Sequence, residues 1–493
     1  MAPHLWEEED SGCGNDQGRD QEENTQQDAD EVDEGDELDS FHALLSHLRL
    51  EQLPELAISL KPTLLGADFS TGTSSPLPCT VNPQPLIGAY YILYRATFSD
   101  STTWIFKIPC IGYLPEWSEM SARKLRSEVH TMIFIIKYTE IPVPEFYAFD
   151  SGLGNVINAP YIAMECIDGI NMSKKWYSTA GGDEQWSEEQ LEERRVGWLQ
   201  AAAEFLFELR KFGFDKCGML DFKDNRNGPI GISPLCVSNM GAEKHLQECS
   251  VGPVPPKFVE IGAFLDTKSY LLGLLDLQPH GSHTMGMRRI LRHLINWIPE
   301  SVANAQLRPD GHRFVLCHPD FGLQNIMISN DRDCRILSIV DWDGVATSPL
   351  CLGNDRYPPW LTRDWDPLVY QYDAENPENN ELENAPKDLH RYREIYATYM
   401  QRLVGCEREA LIRFSHIYES LEIAAGNIYS YVGIVDLLCE KCIEASRQEG
   451  LAQEDDDIIV YDVIQAFAED PPAPTVVVNP LRQGFLRHCG QEA

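Results

Sequence analysis

His318, Asp320 and Asn325 lie in RFVLCHPDFGLQNIMISNDRDCRILSIVDWDGVAT, residues 313–347. Apolar runs of strand type flank this polar stretch, and a hairpin signal at Asn330–Asp333 leads to a further strand ending in Asp341. Moving a γ-phosphoryl group asks a protein for positioned Mg²⁺, a positive contact to the phosphates and a group that orients the acceptor hydroxyl. Asp320 suits the last role, accepting or aligning the hydroxyl proton. Asn325 offers a neutral oxygen and Asp341 an anionic one, the donors a hard cation prefers. Asp343 would share a strand face with Asp341, so it either supports the metal or stands as an exposed turn carboxylate. His318 is expected to brace the loop by hydrogen bonds rather than to titrate in catalysis.

Two look-alikes have to be separated from this set. Asp320-Phe321-Gly322 spells D-F-G, the metal-binding triplet of protein kinases. That role needs a His-x-Asp loop shortly upstream, yet none of His280, His283, His293 and His312 has an Asp two residues later. Reading the stretch as H-x-D-x-x-x-x-N followed by Asp341 uses every part at once. Asp364-Trp365-Asp366 repeats D-W-D, but it follows Arg363 in a Pro-rich loop and is assigned to structure.

The elements that must serve this loop begin near Phe41. Tyr90–Phe98 and Thr102–Ile108 read as two strands around the turn Ser99-Asp100-Ser101. Trp104, Phe106 and Ile108 share one face of the second strand, with Ile105 and Lys107 on the other. An unpaired ammonium at Lys107 would be costly among apolar neighbours. Its natural partner is Glu128, on a helix expected from Ser118 to about Lys137 with the apolar stripe Leu125, Val129, Met132 and Ile136. Glu119, on the same helix, is the competing partner. Lys107 is thus the candidate phosphate contact, and Gly88 is the one glycine available for a phosphate loop. Strands near Glu145–Phe149 and Tyr161–Ile167 complete a small sheet, and Gly169 is the first hinge candidate.

Residues 170–450 read as mostly helical, with a capping box at Ser187 and Gln190 opening a helix to about Lys211. That helix should bury Leu191, Trp198, Ala202, Phe205 and Leu209. Further helices are expected over Met287–Ile298 and from about Pro386 to Ser446. The fold class is therefore α+β, with a small β-rich lobe, a short link and a larger, mostly helical lobe. Four segments follow: an acidic disordered tail (1–40), a nucleotide-binding lobe (41–167), a lobe with catalytic loop, metal site and acceptor site (168–450), and a loosely packed C-terminal tail (451–493).

Charge and cysteine usage narrow the setting. The net charge is −37, and residues 1–40 hold 16 acidic residues against one base, Arg19. Such a balance argues against nucleic acid or an anionic membrane as partner. A solvated acidic surface is the commoner reason for it, and it is compatible with a cationic acceptor, mildly favouring an amine-bearing alcohol. Fourteen cysteines show no framework spacing and many sit in apolar runs, as expected of a protein kept reduced in the cytoplasm. Cys439-x-x-Cys442 falls in a helical pattern and is assigned to packing. The N-terminus lacks signal-peptide character, and Leu421–Cys439 is interrupted by Glu422, Asn427 and Asp436, so no membrane span is expected.

Taken together, CHPDFGLQNIMI (317–328), SIVDWDGV (338–345), WIFKIP (104–109) and PYIAMECIDG (160–169) resemble the aminoglycoside phosphotransferase and choline kinase-like enzymes. GNDRYPPWLTRDWDP (353–367) looks like the fungal members of that group, and the resemblance covers roughly residues 85–440. It implies a protein-kinase-like two-lobe fold, ATP and Mg²⁺ as cofactors, and a small-molecule hydroxyl as acceptor. It also implies Asp320 as base, Asn325 and Asp341 as metal ligands, and Lys107 on the α/β-phosphates with Glu128 as ion-pair partner. Met164 would lie behind the adenine, with the backbone of Glu165 and Ile167 bonding its edge. Pro319 stands where that family usually has Gly, and the glycine-rich loop is reduced to Gly88.

Two other classes compete. A protein kinase would carry Arg and Lys where Pro319 and Gly322 stand, and would show A-P-E after Asp341, which is absent. A catalytically silent, kinase-shaped regulatory protein finds support in the thin glycine loop.

Overall fold

A computed structural model describes residues 41–64, 77–178, 186–222, 228–239, 258–279, 284–305, 311–376, 380, 382–448, 459–469 and 473–490. The acidic segment 1–40, expected to be disordered, lies outside them, as do His280, His283 and Asp455–Asp457.

Alternating burial builds the small lobe. β1 (Cys79–Val81), β2 (Leu86–Ile87), β3 (Tyr91–Phe98), β4 (Thr103–Pro109), β5 (Phe146–Asp150) and β6 (Tyr161–Glu165) form one antiparallel sheet of order β1-β3-β4-β6-β5, with β2 also paired to β3. The expected hairpin is present in register Tyr91↔Pro109 to Thr97↔Thr103. Ser101 takes the positive φ (68°) that its turn demands. Trp104, Phe106 and Ile108 pack against α1 (Leu53–Leu64) through Leu53, Leu56 and Ala57. Lys61 of α1 reaches Asp100 at 2.7 Å and ties that helix to the hairpin turn.

α2 (Glu119–Tyr138) connects β4 to β5, and the Ser118 hydroxyl accepts from the Ser121 amide as its N-cap. Its buried stripe is Leu125, Val129, Met132 and Ile135, whereas Ile136, expected in the stripe, is exposed. The true stripe steps 4-3-3, which turns Ile136 past the edge of the buried face. Met132 and Ile135 share a core with Trp176, Trp198, Phe321 and Trp342 of the large lobe. The helix that carries Glu128 is therefore packed into both lobes.

Gly169 marks the crossing into the large lobe. A Cβ there would meet the Ile328 carbonyl at 2.6 Å, so close approach accounts for the glycine expected as a hinge. β7 (Ile170–Asn171) then pairs with β14 (Ile326–Ile328), which pairs with β15 (Ile336–Ile339). α3 (Glu188–Leu209) opens with the expected capping box, and Leu206 takes the buried place expected of Phe205.

The stretch read as mostly helical also carries short strands between α3 and the loop of His318–Asn325. β8 (Gly213–Phe214), β9 (Met219–Asp221), β10 (Gly231–Ser233), β11 (Leu235–Ser238) and β12 (Phe258–Ile261) form short pairs there. β8 joins β13 (Phe314–Cys317) and β16 (Ala346–Pro349) in a second sheet of this lobe. α4 (Thr267–Leu277) and α5 (Met285–Trp297) follow β12. α6 (Pro386–Val404), α7 (Ser415–Gly426) and α8 (Tyr431–Gln448) occupy the span read as helical.

The C-terminal segment corrects another expectation. α9 (Val460–Ala468) and α10 (Thr475–His488) bury Val463, Phe467, Leu481 and Phe485 in one core with Leu291, Leu294 and Leu438. A Cβ at Gly484 would collide with the Cys442 backbone, so α10 crosses α8 there at backbone distance. Cys439 and Cys442 are buried free thiols on α8. No described helix is long and apolar enough to cross a membrane.

Candidate active site

β13 ends at Cys317, and the chain turns through a 3-10 turn at Leu323–Asn325 before β14. The turn is closed by the Asn325 amide on the Gly322 carbonyl at 3.0 Å. His318 is buried, and both ring nitrogens are committed. Its Nε2 lies 3.0 Å from the Val340 carbonyl, while Nδ1 accepts from the Asp320 amide at 3.2 Å. That pattern fixes the neutral tautomer, with the proton on Nε2. It also joins the loop before Asp320 to the residue before Asp341.

Burial holds the His318 imidazole down at about 4, against its usual 6.5. The sign follows directly: between these values the unfolded chain binds a proton that the folded chain refuses, so stability falls as pH drops. Comparing denaturant unfolding of His318→Gln and wild type at pH 7 and pH 4 should show the wild-type advantage shrinking by about 3 kcal/mol. A constant difference would show that His318 does not stay neutral in the fold.

Asp320 and Asn325 form a unit. The Asn325 side-chain amide donates to the Asp320 carbonyl at 2.8 Å and to its carboxylate at 3.0 Å, and Gln324 donates to the same carboxylate oxygen at 2.8 Å. Asp320 is exposed despite these bonds, so its other oxygen faces outward. With the Asn325 nitrogen spent on Asp320, its amide oxygen is the group left to meet a cation.

The D-W-D segment is not strand. β15 stops at Ile339, and Asp341 takes a left-handed φ of 63°, which ends extended pairing. The expectation that Asp341 and Asp343 share a strand face fails for that reason. Trp342, buried between them, donates from its indole to the Ile339 carbonyl at 3.0 Å and lies against His318 with ring centroids 4.5 Å apart. Replacing such a buried indole with alanine typically costs about 3–5 kcal/mol. The Val340 amide donates to the Asn325 carbonyl at 2.9 Å, which brings Asp341 beside Asn325.

Lys107 crosses between the lobes. Its ammonium lies 2.9 Å from Glu128 and 2.9 Å from Asp341, with the Tyr91 ring 4.0 Å away. Burial alone would lower the Lys107 ammonium, but Glu128, then Asp341 and Asp343, outweigh it and the net shift is upward. Burial pushes Glu128 up to about 7 against the pull of Lys107. Glu119, the competing partner, pairs instead with Arg126 at the surface. The Asp341 side chain remains 52% exposed, so a ligand can reach it.

Asp343 is enclosed, contrary to the exposed-turn expectation. Tyr91 donates to one of its oxygens at 2.8 Å and Lys124 to the other at 2.9 Å. Burial would raise its carboxyl, yet Lys124 and then Lys107 hold it below the usual carboxylate range. Gly88 sits in a hairpin connection closed by its own amide on the Tyr91 carbonyl at 2.9 Å, leaving Ala89 and Tyr90 as the turn. The turn expected as a phosphate loop is therefore a hairpin connection of two residues.

Met164, the penultimate residue of β6, is half-buried, and the Glu165 amide donates to the Glu145 carbonyl at 2.8 Å. Of the two Glu165 backbone groups, that leaves the carbonyl for an adenine edge. The Ile167 carbonyl accepts from Gly169 at 3.1 Å.

Sequence reasoning missed Tyr91, Lys124 and Gln324. Lys124 stands one helical turn before Glu128, so a base and an acid at i and i+4 was a usable signal. Gln324, beside Asn325, and Tyr91, after the glycine turn, carried no signal of their own. Asp364 is held by Arg393 at 2.6 and 2.9 Å, as expected of a structural D-W-D.

The chain is similar to several known proteins. A subtelomeric hrmA-associated cluster protein of Aspergillus fumigatus is 24% identical over 315 residues, covering 53% of this chain and 56% of that protein. The mitochondrial altered inheritance of mitochondria protein 9 of Debaryomyces hansenii is 28% identical over 138 residues, 28% of this chain and 21% of that protein. The chain thus spans little more than half of one relative and about a fifth of the other. A thermostable aminoglycoside phosphotransferase, solved as a ternary complex with AMP-PNP and hygromycin B, is similar at 12% identity and a TM-score of 0.36, over 85% of this chain and 97% of that one. The model of the phosphotransferase enzyme family matches residues 94–351, over half the chain, from β3 through the catalytic loop to the turn after β16. The chain belongs to the phosphotransferase enzyme family.

Proposed function

We propose that this protein moves the γ-phosphoryl group of ATP to a hydroxyl of a small molecule. The observation that carries the reading is Lys107, whose ammonium bonds Glu128 and Asp341 at 2.9 Å each and so joins the small lobe to the D-W-D segment. An ammonium in that place suits the phosphates of a nucleotide lying in the cleft. The lobe of residues 41–167 would hold the nucleotide, with Met164 behind the base and the backbone at Glu165 and Ile167 along its edge. Residues 168–450 would carry the catalytic loop and acceptor site, braced by α9 and α10.

The donor set fits Mg²⁺. Asn325 has an amide oxygen uncommitted among its hydrogen bonds, and the adjacent Asp341 adds a half-exposed carboxylate, both hard oxygen ligands. Bound there, Mg²⁺ would neutralise charge on the phosphate oxygens. The enclosed Asp343 supports Asp341 from behind. Asp320 orients the acceptor hydroxyl and takes its proton, while Gln324 and Asn325 fix the carboxylate and His318 stays neutral. The acidic balance of the chain favours an amine-bearing alcohol as acceptor.

The two-residue turn at Ala89-Tyr90 favours a second reading, a silent kinase-shaped protein that binds without turnover. Lys107 tests the first. Lys107→Ala should raise the Kd for Mg·ATP by at least about tenfold, read by calorimetry. Since the single variant strands Glu128 as a buried charge, at about 3–5 kcal/mol, Lys107→Ala with Glu128→Gln separates binding from folding. A folded double variant that binds Mg·ATP like wild type would move the phosphate contact elsewhere.

A further inference from the structure

The glycine turn is too short to wrap a nucleotide, and the residue that follows it takes an unusual position. Tyr91 places its ring over the Lys107 ammonium at 4.0 Å and its hydroxyl on Asp343 at 2.8 Å. It is the first residue of β3, fixed by the turn bond from the Gly88 amide. A Cβ at Gly88 would come 3.3 Å from the Tyr91 carbonyl, so the glycine lets that turn close. One side chain thus ties the turn, the phosphate lysine and the D-W-D segment together.

The second oxygen of Asp343 belongs to Lys124 of α2, one helical turn before Glu128. That helix therefore makes two parallel connections to the D-W-D segment. Glu128 acts through Lys107 on Asp341, and Lys124 acts directly on Asp343. The link is sheltered on the side of the inserted strands, where Phe258 of β12 lies 5.3 Å from the Lys124 ammonium. The D-W-D backbone benefits from such support, since Asp341 (φ 63°) sits in the left-handed region, which costs a non-glycine residue energy. A carboxylate with both oxygens satisfied inside low-dielectric surroundings is a rigid anchor.

We propose that Tyr91 and Lys124, acting through Asp343, are positioning residues that set Asp341 for the metal and compensate for the missing glycine-rich loop. This rests on the reading of Asp341 and Asn325 as the Mg²⁺ site. Neither positioning residue meets the metal. Each holds the segment that does, so its loss should appear as a poorer metal requirement and not as a lost ligand.

Tyr91→Phe keeps the ring over Lys107 and deletes only the hydroxyl. Nucleotide binding titrated with Mg²⁺ should require about tenfold more metal at half-saturation in Tyr91→Phe and Lys124→Met. Affinity for ATP without metal should not change, and Lys124→Arg should restore most of the loss. A merely structural pair would lower stability and leave the Mg²⁺ requirement where it was, and that outcome overturns the proposal. Hydrogen exchange of the amides at 341–345 gives a readout without nucleotide. It should quicken in both variants while the amides of α6 and α8 keep their rates, and unchanged exchange at 341–345 also overturns the proposal. Wild type that fails to bind Mg·ATP while the exchange effect is present would remove the functional reading and leave the link standing.

Discussion

Asp320→Ala is expected to lower phosphoryl transfer by about 10²–10⁴-fold, the usual contribution of a positioned proton acceptor, while the Kd for Mg·ATP stays within about twofold. The split follows from which bonds the carboxylate makes. It receives Gln324 and Asn325, whereas the Lys107 ammonium pairs with Glu128 and Asp341. Asn325 also donates to the Asp320 backbone carbonyl at 2.8 Å, a bond that survives the substitution. The amide oxygen assigned to the metal should therefore keep its place. Asp320 is exposed, so its loss leaves no buried group unpaired and little stability should go with it. Turnover at the wild-type rate would remove Asp320 from the proton-accepting role.

Asp341 should behave in the opposite way. Asp341→Asn is expected to weaken Mg²⁺-dependent nucleotide binding by well over about tenfold, since even the outer partners of a metal site cost 10–100-fold when removed. Asparagine is the better test than alanine because residue 341 sits at φ 63°, where the short polar side chain of asparagine can offset the left-handed backbone by local hydrogen bonds and alanine cannot. Lys107 keeps Glu128 at 2.9 Å in the variant, so the interlobe lysine is not left unpaired. Calorimetry with and without Mg²⁺ separates the two contributions. Binding of Mg·ATP as tight as in wild type would show that the metal is held elsewhere.

What the sequence disclosed about the site was set by local spacing. Asn325 follows Asp320 by five positions, with one 3-10 turn in between, so the pair could be read together without knowing the fold. Lys107 and Glu128 were legible because a strand alternates and a helix repeats, which put each beside a buried face. Asp343 was misplaced because the left-handed turn at Asp341 has no signature beyond a short polar side chain. Tyr91 lies 252 residues from Asp343, and no periodicity connects residues that far apart.

The same logic separates what was legible in the fold. Long elements with caps, such as α2 behind Ser118 and α3 behind Ser187, carry enough turns to be read. β8 to β12 span only two to four residues each, too few for alternation to show. α10 holds Pro480 in its interior, which argues locally against a helix. Its docking through Leu481, Gly484 and Phe485 against α8 overrides that preference, an energy that only the tertiary structure supplies.

The most direct test of the account follows labelled phosphate. Wild type and Asp320→Ala are incubated with Mg²⁺ and ATP labelled at the γ-phosphate, against a panel of amino alcohols, aminoglycosides and hydroxylated metabolites. Wild type is expected to place label on at least one hydroxylated acceptor, a transfer stopped by chelation of Mg²⁺ and nearly absent with Asp320→Ala. Tight binding of Mg·ATP by wild type with no label on any acceptor would contradict it.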